Sequence, residues 1–399
     1  MKNKPELLAP AGDLERLKIA LKYGADAVYI GGPFLNLRAN AINFTMDEIK
    51  EAVCYAHTLN KKVYVTVNIV LHNSNLKELN DYLKKLEEAN VDAIIVSDPY
   101  VVSEAVKNTK LEVHLSTQAS TLNIESARFW KEQGVSRIVL ARECNSKDVK
   151  KIIDEVGIEI ETFIHGAMCA GYSGRCVMSN FLTNRDANRG GCSQICRWDF
   201  DLYSSFMKPL KGDMPFTFCA KDLSLLKHLN EMIDMNISSF KIEGRMRSSY
   251  YIATVVSTYR KAIDEYCNNN KSYTYNKRYE QILDNCANRD SIPQFFNGIY
   301  DHTTSYYNGR EERSNQDFLG IVKEYDEKTK LAKIEQRNYF KKGDKVEIFG
   351  YNHNDIEYIF DRIYDCDMNL IEVVRHPRQI VYIKVDFKVN KDDMIRIKK

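Results

Sequence analysis

A repeated hydrophobic pattern extends through the first 245 residues of this chain and constrains its fold more than any single motif. A short apolar run ends in a small or polar residue, and a helical pattern follows. The unit occurs eight times, with the apolar runs at Glu6–Ala9, Ala27–Gly31, Val63–Ile69, Ala93–Ser97, Glu112–Ser116, Arg137–Arg142, Glu159–His165 and Phe240–Glu243. Strands that alternate with helices form βαβ units around a parallel sheet. Eight units in this length predict an α/β fold, a TIM-like (β/α)8 barrel rather than an open sheet.

Four of the predicted helices have recognisable sequence patterns. Asp13–Tyr23 starts at an aspartate suited to capping, and Thr45–Leu59 opens with the capping-box spacing of Thr45 and Glu48. Asn75–Ala89 carries leucines along one stripe, as an amphipathic helix does. Tyr250–Tyr266 follows the eighth apolar run, and we expect this helix to close the barrel domain, residues 1–266.

The pattern changes in the last third of the chain. Residues 267–312 are polar, rich in Asn and Tyr, and predict a linker with one helix. From Phe318 onward, short strand-like runs alternate with turn signals and no helical pattern occurs. This predicts a small C-terminal all-β barrel domain at 313–399. Its lysines and arginines suit contact with an RNA backbone, although an ordinary solvated β surface explains them equally well.

A cysteine-rich stretch, His165–Trp198, directly follows the seventh predicted strand. It holds Cys169, Cys176, Cys192 and Cys196 in the spacing Cys-x6-Cys-x15-Cys-x3-Cys, together with five glycines and four arginines. The stretch belongs to an insertion, 166–236, of about 70 residues between strands seven and eight, where a usual barrel loop has only a few. Insertions after a strand's carboxyl end lie on the face where barrel enzymes place their sites.

The composition of the chain limits both the cellular compartment in which we expect it and the class of protein to which it can belong. The chain has no apolar run of the length needed to cross a membrane, and its N-terminus lacks the apolar core of a signal peptide, so we expect no membrane association and a cytoplasmic location. A net charge of +2 excludes a strongly basic nucleic-acid coat protein. Thiols stay reduced in the cytoplasm, so clustered cysteines indicate metal ligands or catalytic groups before disulfides.

The four clustered cysteines therefore predict a [4Fe–4S] cluster, with zinc or reduced structural thiols as alternatives. Their spacing matches neither the Cys-x3-Cys-x2-Cys loop of radical S-adenosylmethionine enzymes nor the paired knuckles of zinc ribbons. Cys219 is a fifth candidate in the same insertion, but Cys196 is preferred as the fourth ligand because it lies close to Cys192. The remaining cysteines are scattered, and only Cys144 follows charged residues at the predicted active face.

Charged side chains gather at the predicted strand ends. They are Arg142, Glu143, Lys241, Glu243 and Arg245. A charge at a buried barrel mouth is costly unless it is paired or bound to a ligand, so the set predicts either an anionic-ligand site or a structural ion-pair network. His165, at the end of strand seven, is a candidate general base, although a structural histidine is the commoner case at such a position.

Several segments together are recognisable: ELLAPAGD, AVYIGG, LRANAINFT, HGAMCAGYSGRC, CSQICRWD, AKDLSLL and FKIEGRMRS. They resemble the collagenase-like protease family, peptidase family U-thirty-two. The resemblance covers nearly the whole chain. It is strongest to the branch with a C-terminal β domain, the tRNA 5-hydroxyuridine modification proteins.

The resemblance implies a [4Fe–4S] cluster on Cys169, Cys176 and Cys192. Some relatives match Cys196 as the fourth ligand, and ubiquinone-hydroxylation relatives match Cys219. It also implies tRNA as partner and hydroxylation of the wobble uridine, dependent on prephenate rather than molecular oxygen. Prephenate is a dicarboxylate, which a barrel mouth lined by arginines and lysines such as Arg142, Lys241 and Arg245 suits.

The sequence is compatible with two other functions. The family name implies a peptidase, but the chain has no zinc-protease motif and no evident nucleophile–base pair beyond a conceivable Cys144–His165 dyad. A non-catalytic scaffold with a structural cluster, acting with a paralogous or accessory protein partner, is the second alternative. The catalytic candidates of the enzymatic interpretations are His165, Arg142, Glu243, Arg245 and Lys241.

Overall fold

The computed structural model describes residues 4–37, 43–210, 215–268, 274–298, 301–306, 317–351, 353 and 355–398. Its first ten strands are β1 (Glu6–Pro10), β2 (Ala27–Gly31), β3 (Lys62–Val67), β4 (Ala93–Val96), β5 (Glu112–Leu115), β6 (Arg137–Val139), β7 (Glu159–Gly166), β8 (Asp222–Ser224), β9 (Ser239–Ile242) and β10 (Ser291–Ile292). Strands β1 to β7 pair in chain order, and β9 pairs in parallel with both β1 and β7. The predicted eight-stranded parallel barrel is therefore confirmed and closed.

Strand β8 belongs to the insertion and not to the barrel. It runs antiparallel to the end of β7, with His165 opposite Ser224, and parallel to β10. The stretch between barrel and second domain, predicted as a linker, thus contributes a strand to the inserted layer. The part of the predicted segment LRANAINFT at residues 38–42 lies outside the described residues.

The helices are α1 (Leu14–Lys22), α2 (Met46–Thr58), α3 (Leu79–Glu88), α4 (Pro99–Asn108), α5 (Ile124–Glu132), α6 (Ser146–Val156), α7 (Met178–Thr183), α8 (Leu229–Asp234), α9 (Ser249–Asn268) and α10 (Lys277–Cys286). The Asp13 side chain caps α1, and Thr45 and Glu48 form the predicted capping box of α2. The helix predicted from Asn75 begins only at Leu79, because a short 3₁₀ turn ends at Asn75. None of the described helices is both long and apolar enough to cross a membrane.

Alternating residues of the barrel strands face two cores. Leu7, Val28 and Ile94 pack outward against the helices, whereas their neighbours Leu8, Tyr29 and Ile95 fill the barrel interior. The interior is not purely apolar, because Glu161 and Lys241 from adjacent strands are also buried there. Polar side chains near the carboxyl ends of the strands therefore point into the barrel interior, where the site is formed.

The second domain contains only strands: β11 (Phe318–Asp326), β12 (Leu331–Gln336), β13 (Phe340–Lys341), β14 (Lys345–Phe349), β15 (Ile356–Ile359), β16 (Ile363–Tyr364), β17 (Leu370–Ile371), β18 (Val373–Val374), β19 (Ile380–Lys384) and β20 (Met394–Ile397). Eight of them form one antiparallel sheet in the order β15-β14-β20-β11-β12-β19-β16-β17. The end strands of that sheet do not pair with each other within the described residues, so the predicted all-β domain is a half-barrel.

The two domains are packed firmly together. Tyr250 at the start of α9 stacks on Phe318 of β11, with ring centroids 4.5 Å apart. The Tyr23 hydroxyl donates to the carbonyl of Asp392 at 2.8 Å, and Lys261 Nζ lies 2.7 Å from an Asp355 carboxylate oxygen. Aromatic stacking and partly buried ion pairs across one interface fix the relative position of the domains.

Candidate functional site

A cavity of about 180 Å³ opens at the carboxyl ends of the barrel strands, beneath the cysteine-rich insertion. A single water needs only about 10–15 Å³ on this measure, so the space suits a substrate-sized group. Eight of the nine predicted site residues line it: Arg142, Lys241, Glu243, Arg245, Cys169, Cys176, Cys192 and Cys196. Only His165 does not. The fold thus brings the cysteines and the charged strand ends, far apart in sequence, to one site.

The cysteine loop is held by hydrogen bonds between side chains and backbone groups. The Ser173 N–H donates to Glu143 Oε1 at 2.9 Å, and Arg189 Nη1 donates to the carbonyl of Val70 at 2.9 Å. The Asn188 side chain donates to the carbonyl of Cys176 at 3.0 Å. These contacts hold the cysteine-bearing segments over the barrel without a long helix or strand, as their glycine-rich sequence predicts.

N–H donors point at the sulfurs of three of these cysteines. Gln194 N lies 3.4 Å from Cys192 Sγ, and Arg142 Nη1 lies 3.9 Å from Cys169 Sγ. Burial raises the pKa of the Cys196 thiol and the nearby Cys169 raises it further, while the backbone N–H of Ala170 lowers it. The net effect is a raised pKa for the Cys196 thiol, and hydrogen bonds to sulfur are among the contacts by which a protein adjusts a sulfur-bound metal group.

The donor set can be compared with the two predicted metal groups. Among the described residues, no three His, Cys, Asp or Glu side chains are grouped so that they could hold a metal ion. Zinc requires four ligands about 2.0–2.3 Å from one centre, and the four thiols do not offer such a point. A cluster has several irons, so its thiolates surround a larger body. Four thiolate donors on one cavity are, by their chemistry, the ligand type of such a cluster.

Cys219, the alternative fourth ligand, does not line the cavity. Its side chain is 1% exposed, and its Sγ lies 3.6 Å from the carbonyl of Ala220. Cys196 lines the cavity beside Cys169 and Cys192. All four preferred cysteines therefore line the cavity, whereas Cys219 does not.

Gly174, between the first two cysteines, provides a test of the loop geometry. Its φ is +73°, and a Cβ there would collide with the backbone carbonyl of Gln118. We expect Gly174→Ala to displace the loop and to lower the free energy of unfolding by more than the roughly 1–2 kcal/mol of left-handed strain alone. Chemical denaturation measures this. Gly298→Ala is the matched control, because Gly298 has φ +71° and nothing within 4 Å of the added Cβ; equal costs at the two positions would contradict the close contact.

Arg142 is the cation of the cavity with the clearest capacity for an anion. Its guanidinium lies over the Phe163 ring at 4.2 Å, and within the described part of the chain it forms no ion pair. Its Nε–H is buried without an acceptor. A guanidinium in this position can still donate to a carboxylate or phosphate group.

Lys241, in contrast, belongs to a buried ion-pair network. Its Nζ lies 2.6 Å from Glu161 Oε1, and Arg137 Nη1 lies 3.4 Å from Glu161 Oε2 and 2.6 Å from Glu6 Oε1. The charged strand ends were predicted to form either an anionic-ligand site or a structural ion-pair network. Lys241 belongs to an ion-pair network. Arg245 is held by neutral oxygens, at 3.2 Å from Thr66 Oγ1 and 2.7 Å from Asn36 Oδ1.

His165 is buried behind the cavity. Its ring packs against Tyr251 and Tyr259, and its Nδ1 lies 3.4 Å from the Tyr259 hydroxyl. Burial, with a smaller effect of Arg247, lowers the pKa of His165 to about 3, so the ring is neutral at physiological pH. Burial raises the pKa of the Cys144 thiol to about 12. Nucleophilic Cys–His pairs need the opposite shifts, a lowered thiol pKa beside a basic imidazole.

Several residues of the site were not selected from the sequence. Phe163 lies under the Arg142 guanidinium, the Tyr29 hydroxyl donates to Glu243 Oε2 at 3.0 Å, and Glu161 neutralises Lys241. Glu161 and Phe163 both occupy inward positions of β7, and Tyr29 occupies one of β2. The period of two along those strands is the signal that identifies such positions.

Comparison with known proteins places these features in a family. The model for peptidase family U32 matches residues 12–306, and the model for the peptidase family U32 C-terminal domain matches residues 314–396. A tRNA hydroxylation protein P1 from Bacillus subtilis is 49% identical over 399 residues, covering 98% of this chain and 94% of the relative. The tRNA hydroxylation protein P of Escherichia coli is 32% identical and covers 86% of each chain.

A relative named for a different activity is also similar to this chain. The collagenase of Porphyromonas gingivalis is 34% identical over 311 residues, covering 75% of this chain and 74% of the relative. The matched family region contains barrel strands β2 to β7 and β9, the cysteine-rich insertion and every residue of the cavity. The chain belongs to peptidase family U32 and carries that family's C-terminal domain.

Proposed function

We propose that this protein is a tRNA-hydroxylating enzyme that converts the wobble uridine of certain tRNAs to 5-hydroxyuridine in the cavity at the barrel mouth. The observation that carries the proposal is that four cysteines and a cation without an ion-pair partner in the described chain line one cavity on the catalytic face of a barrel. Two relatives that align with most of this chain are named as tRNA hydroxylation proteins, which supports the same substrate and reaction class.

In this proposal, Cys169, Cys176, Cys192 and Cys196 hold a [4Fe–4S] cluster. Such a cluster supplies one-electron redox chemistry, which no side chain of the cavity performs readily. The chain's own residues position the groups around it. The Arg142 guanidinium and the N–H of Gln194 lie close to two of the sulfurs, and hydrogen bonds and charge near sulfur adjust a cluster's potential.

The co-substrate in the proposal is prephenate, a dicarboxylate. Arg142 suits one carboxylate because its guanidinium has no carboxylate partner within the described chain and its Nε–H is buried without an acceptor. The neighbouring Glu143 is held by the Ser173 N–H through Oε1 and contributes a negative charge on the same side of the cavity. An anion is therefore expected to approach in the plane of the guanidinium, because the Phe163 ring covers one of its faces.

The uracil ring also finds matching groups in the cavity. Asn68 Oδ1 and Thr117 Oγ1 are buried, line the cavity and have no hydrogen-bond partner among the described residues. Uracil presents an N3–H donor between two carbonyl acceptors, so an amide oxygen and a hydroxyl can satisfy one edge of it. A site built to hydrogen-bond a base rejects analogues that leave its buried polar atoms unpaired.

Nucleoside mass spectrometry of bulk tRNA tests the proposed function. A strain without this gene, grown with limited oxygen to silence oxygen-dependent routes, is expected to lose 5-hydroxyuridine derivatives. The wild-type gene should restore them, and a strain unable to make prephenate should lack them even with the gene present. Persistence of the nucleosides in the deletion strain, once a redundant paralogue has been removed as well, would reject the proposal.

The same experiment separates the peptidase and scaffold alternatives. A peptidase predicts unchanged tRNA and cleavage of gelatin by pure protein, yet the pKa values of Cys144 and His165 are shifted away from those of a catalytic dyad. A scaffold predicts that Arg142→Met leaves the nucleosides intact while a partner is lost. Disappearance of the modification in Arg142→Met, with the protein folded, supports the enzyme.

A further inference from the structure

A second cavity, of about 220 Å³, lies between the barrel and the half-barrel. Its floor is apolar and includes the stacked rings of Tyr250 and Phe318. Its walls carry three arginines, Arg16 of α1 and Arg337 and Arg378 of the second domain. We call this cavity, with its arginine walls, the interdomain cleft. None of its lining residues belongs to the cysteine-lined cavity.

Two arginine side chains of the interdomain cleft each have one N–H donor without an acceptor among the described residues. Arg16 forms an ion pair with Asp13, and Arg337 Nη2 lies 2.6 Å from Glu335 Oε1. The Nε–H of each of these two arginines is nevertheless buried without an acceptor among the described residues. Buried N–H donors are normally satisfied, so two unsatisfied guanidinium donors at one cavity indicate a ligand that brings acceptors.

Arg378 is presented to the cleft by a tight turn. Gln379 N donates to the carbonyl of His376 at 3.0 Å, which closes a turn with Pro377 and Arg378 at its centre. The φ of Arg378 is +58°, a left-handed value that turns usually assign to glycine or asparagine. Within the described residues Arg378 takes part in no ion pair. Its charge is therefore available to a ligand of the cleft.

We propose that the interdomain cleft binds a backbone phosphate of the RNA substrate, with Arg16, Arg337 and Arg378 as donors. This inference rests on the proposed function and extends it to how the RNA is held. A phosphodiester brings only acceptor oxygens and one negative charge, which matches the unsatisfied donors and the unpaired cation. The carboxylates of the cleft, Asp13 and Glu15, oppose a second anion, so the site takes one phosphate.

The position of the cleft suits a substrate that also reaches the cysteine-lined cavity. Both α1 and α9 begin after carboxyl ends of barrel strands, so the cleft opens on the same face. Gly12 lies between the two sites, because a Cβ there would be 2.5 Å from the Arg245 carbonyl and 3.6 Å from Arg16 Nη1. The stacked and ion-paired domain interface holds the arginines in place before binding, which lowers the entropic cost of the contact.

The test measures binding of unmodified tRNA to full-length protein with its cofactor, over about 50 to 200 mM KCl, by fluorescence anisotropy. Arg337→Gln/Arg378→Gln should weaken binding roughly tenfold at low salt. It should also reduce the slope of log K against log salt by about 0.7–0.9, the value for one lost phosphate contact. Arg362→Gln, an exposed arginine of the same domain that does not line the cleft, should change neither quantity.

A charge-gain variant keeps the inference testable if the double variant does not fold. Glu15 is exposed at the cleft, in the first turn of α1, and Glu15→Lys should tighten tRNA binding and steepen the salt slope. If wild-type protein binds no tRNA, the proposed function itself is rejected, and the cleft inference with it. If wild-type protein binds and hydroxylates tRNA but the cleft variants keep its affinity and slope, only the cleft inference is overturned. Thermal protection by inorganic phosphate with unchanged tRNA binding would likewise overturn it, by assigning the cleft to a free anion.

Discussion

Replacing Cys176 by serine is expected to remove iron from the purified protein and 5-hydroxyuridine from its tRNA together. Cys176 lines the cavity, and its carbonyl is held by the Asn188 side chain, so a serine there changes the donor atom and leaves the loop in place. A hydroxyl is a far poorer ligand for iron than a thiolate, and loss of one of four ligands opens a cluster to solvent. Iron content, the visible absorption spectrum and nucleoside mass spectrometry give the three measurements.

Cysteines outside the cavity provide the matched control. Cys54 is exposed on α2, and Cys54→Ser should keep both iron and modification. A second pair of variants separates the candidate fourth ligands: Cys196→Ser should lose iron, and Cys219→Ser should retain it, because only Cys196 lines the cavity. Full modification in an iron-free Cys176→Ser protein would remove the cluster from the proposed mechanism.

Replacing Glu161 by glutamine is expected to destabilise the barrel by about 3–5 kcal/mol, the usual cost of breaking a buried ion pair from one side. Glu161 is fully buried, 2.6 Å from Lys241 Nζ and 3.4 Å from Arg137 Nη1. Arg137 keeps Glu6 at 2.6 Å in the variant, but Lys241 loses the carboxylate that neutralises it. Urea denaturation measures the loss. The double variant Glu161→Gln/Lys241→Met should recover part of the stability, because it no longer buries an unpaired charge.

The same residue predicts a pH dependence. Burial alone would raise the pKa of Glu161, but Lys241 and Arg137 lower it by more, to below the ordinary value of 4.5. A carboxyl group with a lower pKa in the folded state stabilises the fold at pH values above its unfolded pKa, and this stabilisation is lost as the pH falls through the folded pKa. Stability measured downward from about pH 5 should therefore fall less steeply in Glu161→Gln than in the wild type. Equal slopes would show that the pKa of Glu161 does not differ between the folded and unfolded protein.

The order of the barrel could be read from the chain because each strand carries its own local signal. All eight predicted apolar runs coincide with barrel strands, and the caps at Asp13 and Thr45 form as expected. The helix start at Asn75 was placed too early, because the sequence could not show that a 3₁₀ turn precedes Leu79. The strands of the second domain were also predicted from the sequence. Whether their sheet closes into a barrel depends on pairing between strands that are distant in the chain, which local patterns do not show.

The sequence by itself determined the repeated units, the insertion after β7 and the place of four cysteines within it, since spacing, glycine content and residue type are local properties. Only the tertiary structure decided which groups meet. It gathered Arg142 with the cysteines, buried Lys241 against Glu161, and turned His165 away from the cavity into a pocket of tyrosines. It also brought Arg16 to Arg337 and Arg378 across a domain interface. The physical reason is that charges and hydrogen bonds act over a few ångströms in space, and the closure of a barrel and the docking of a second domain set those distances.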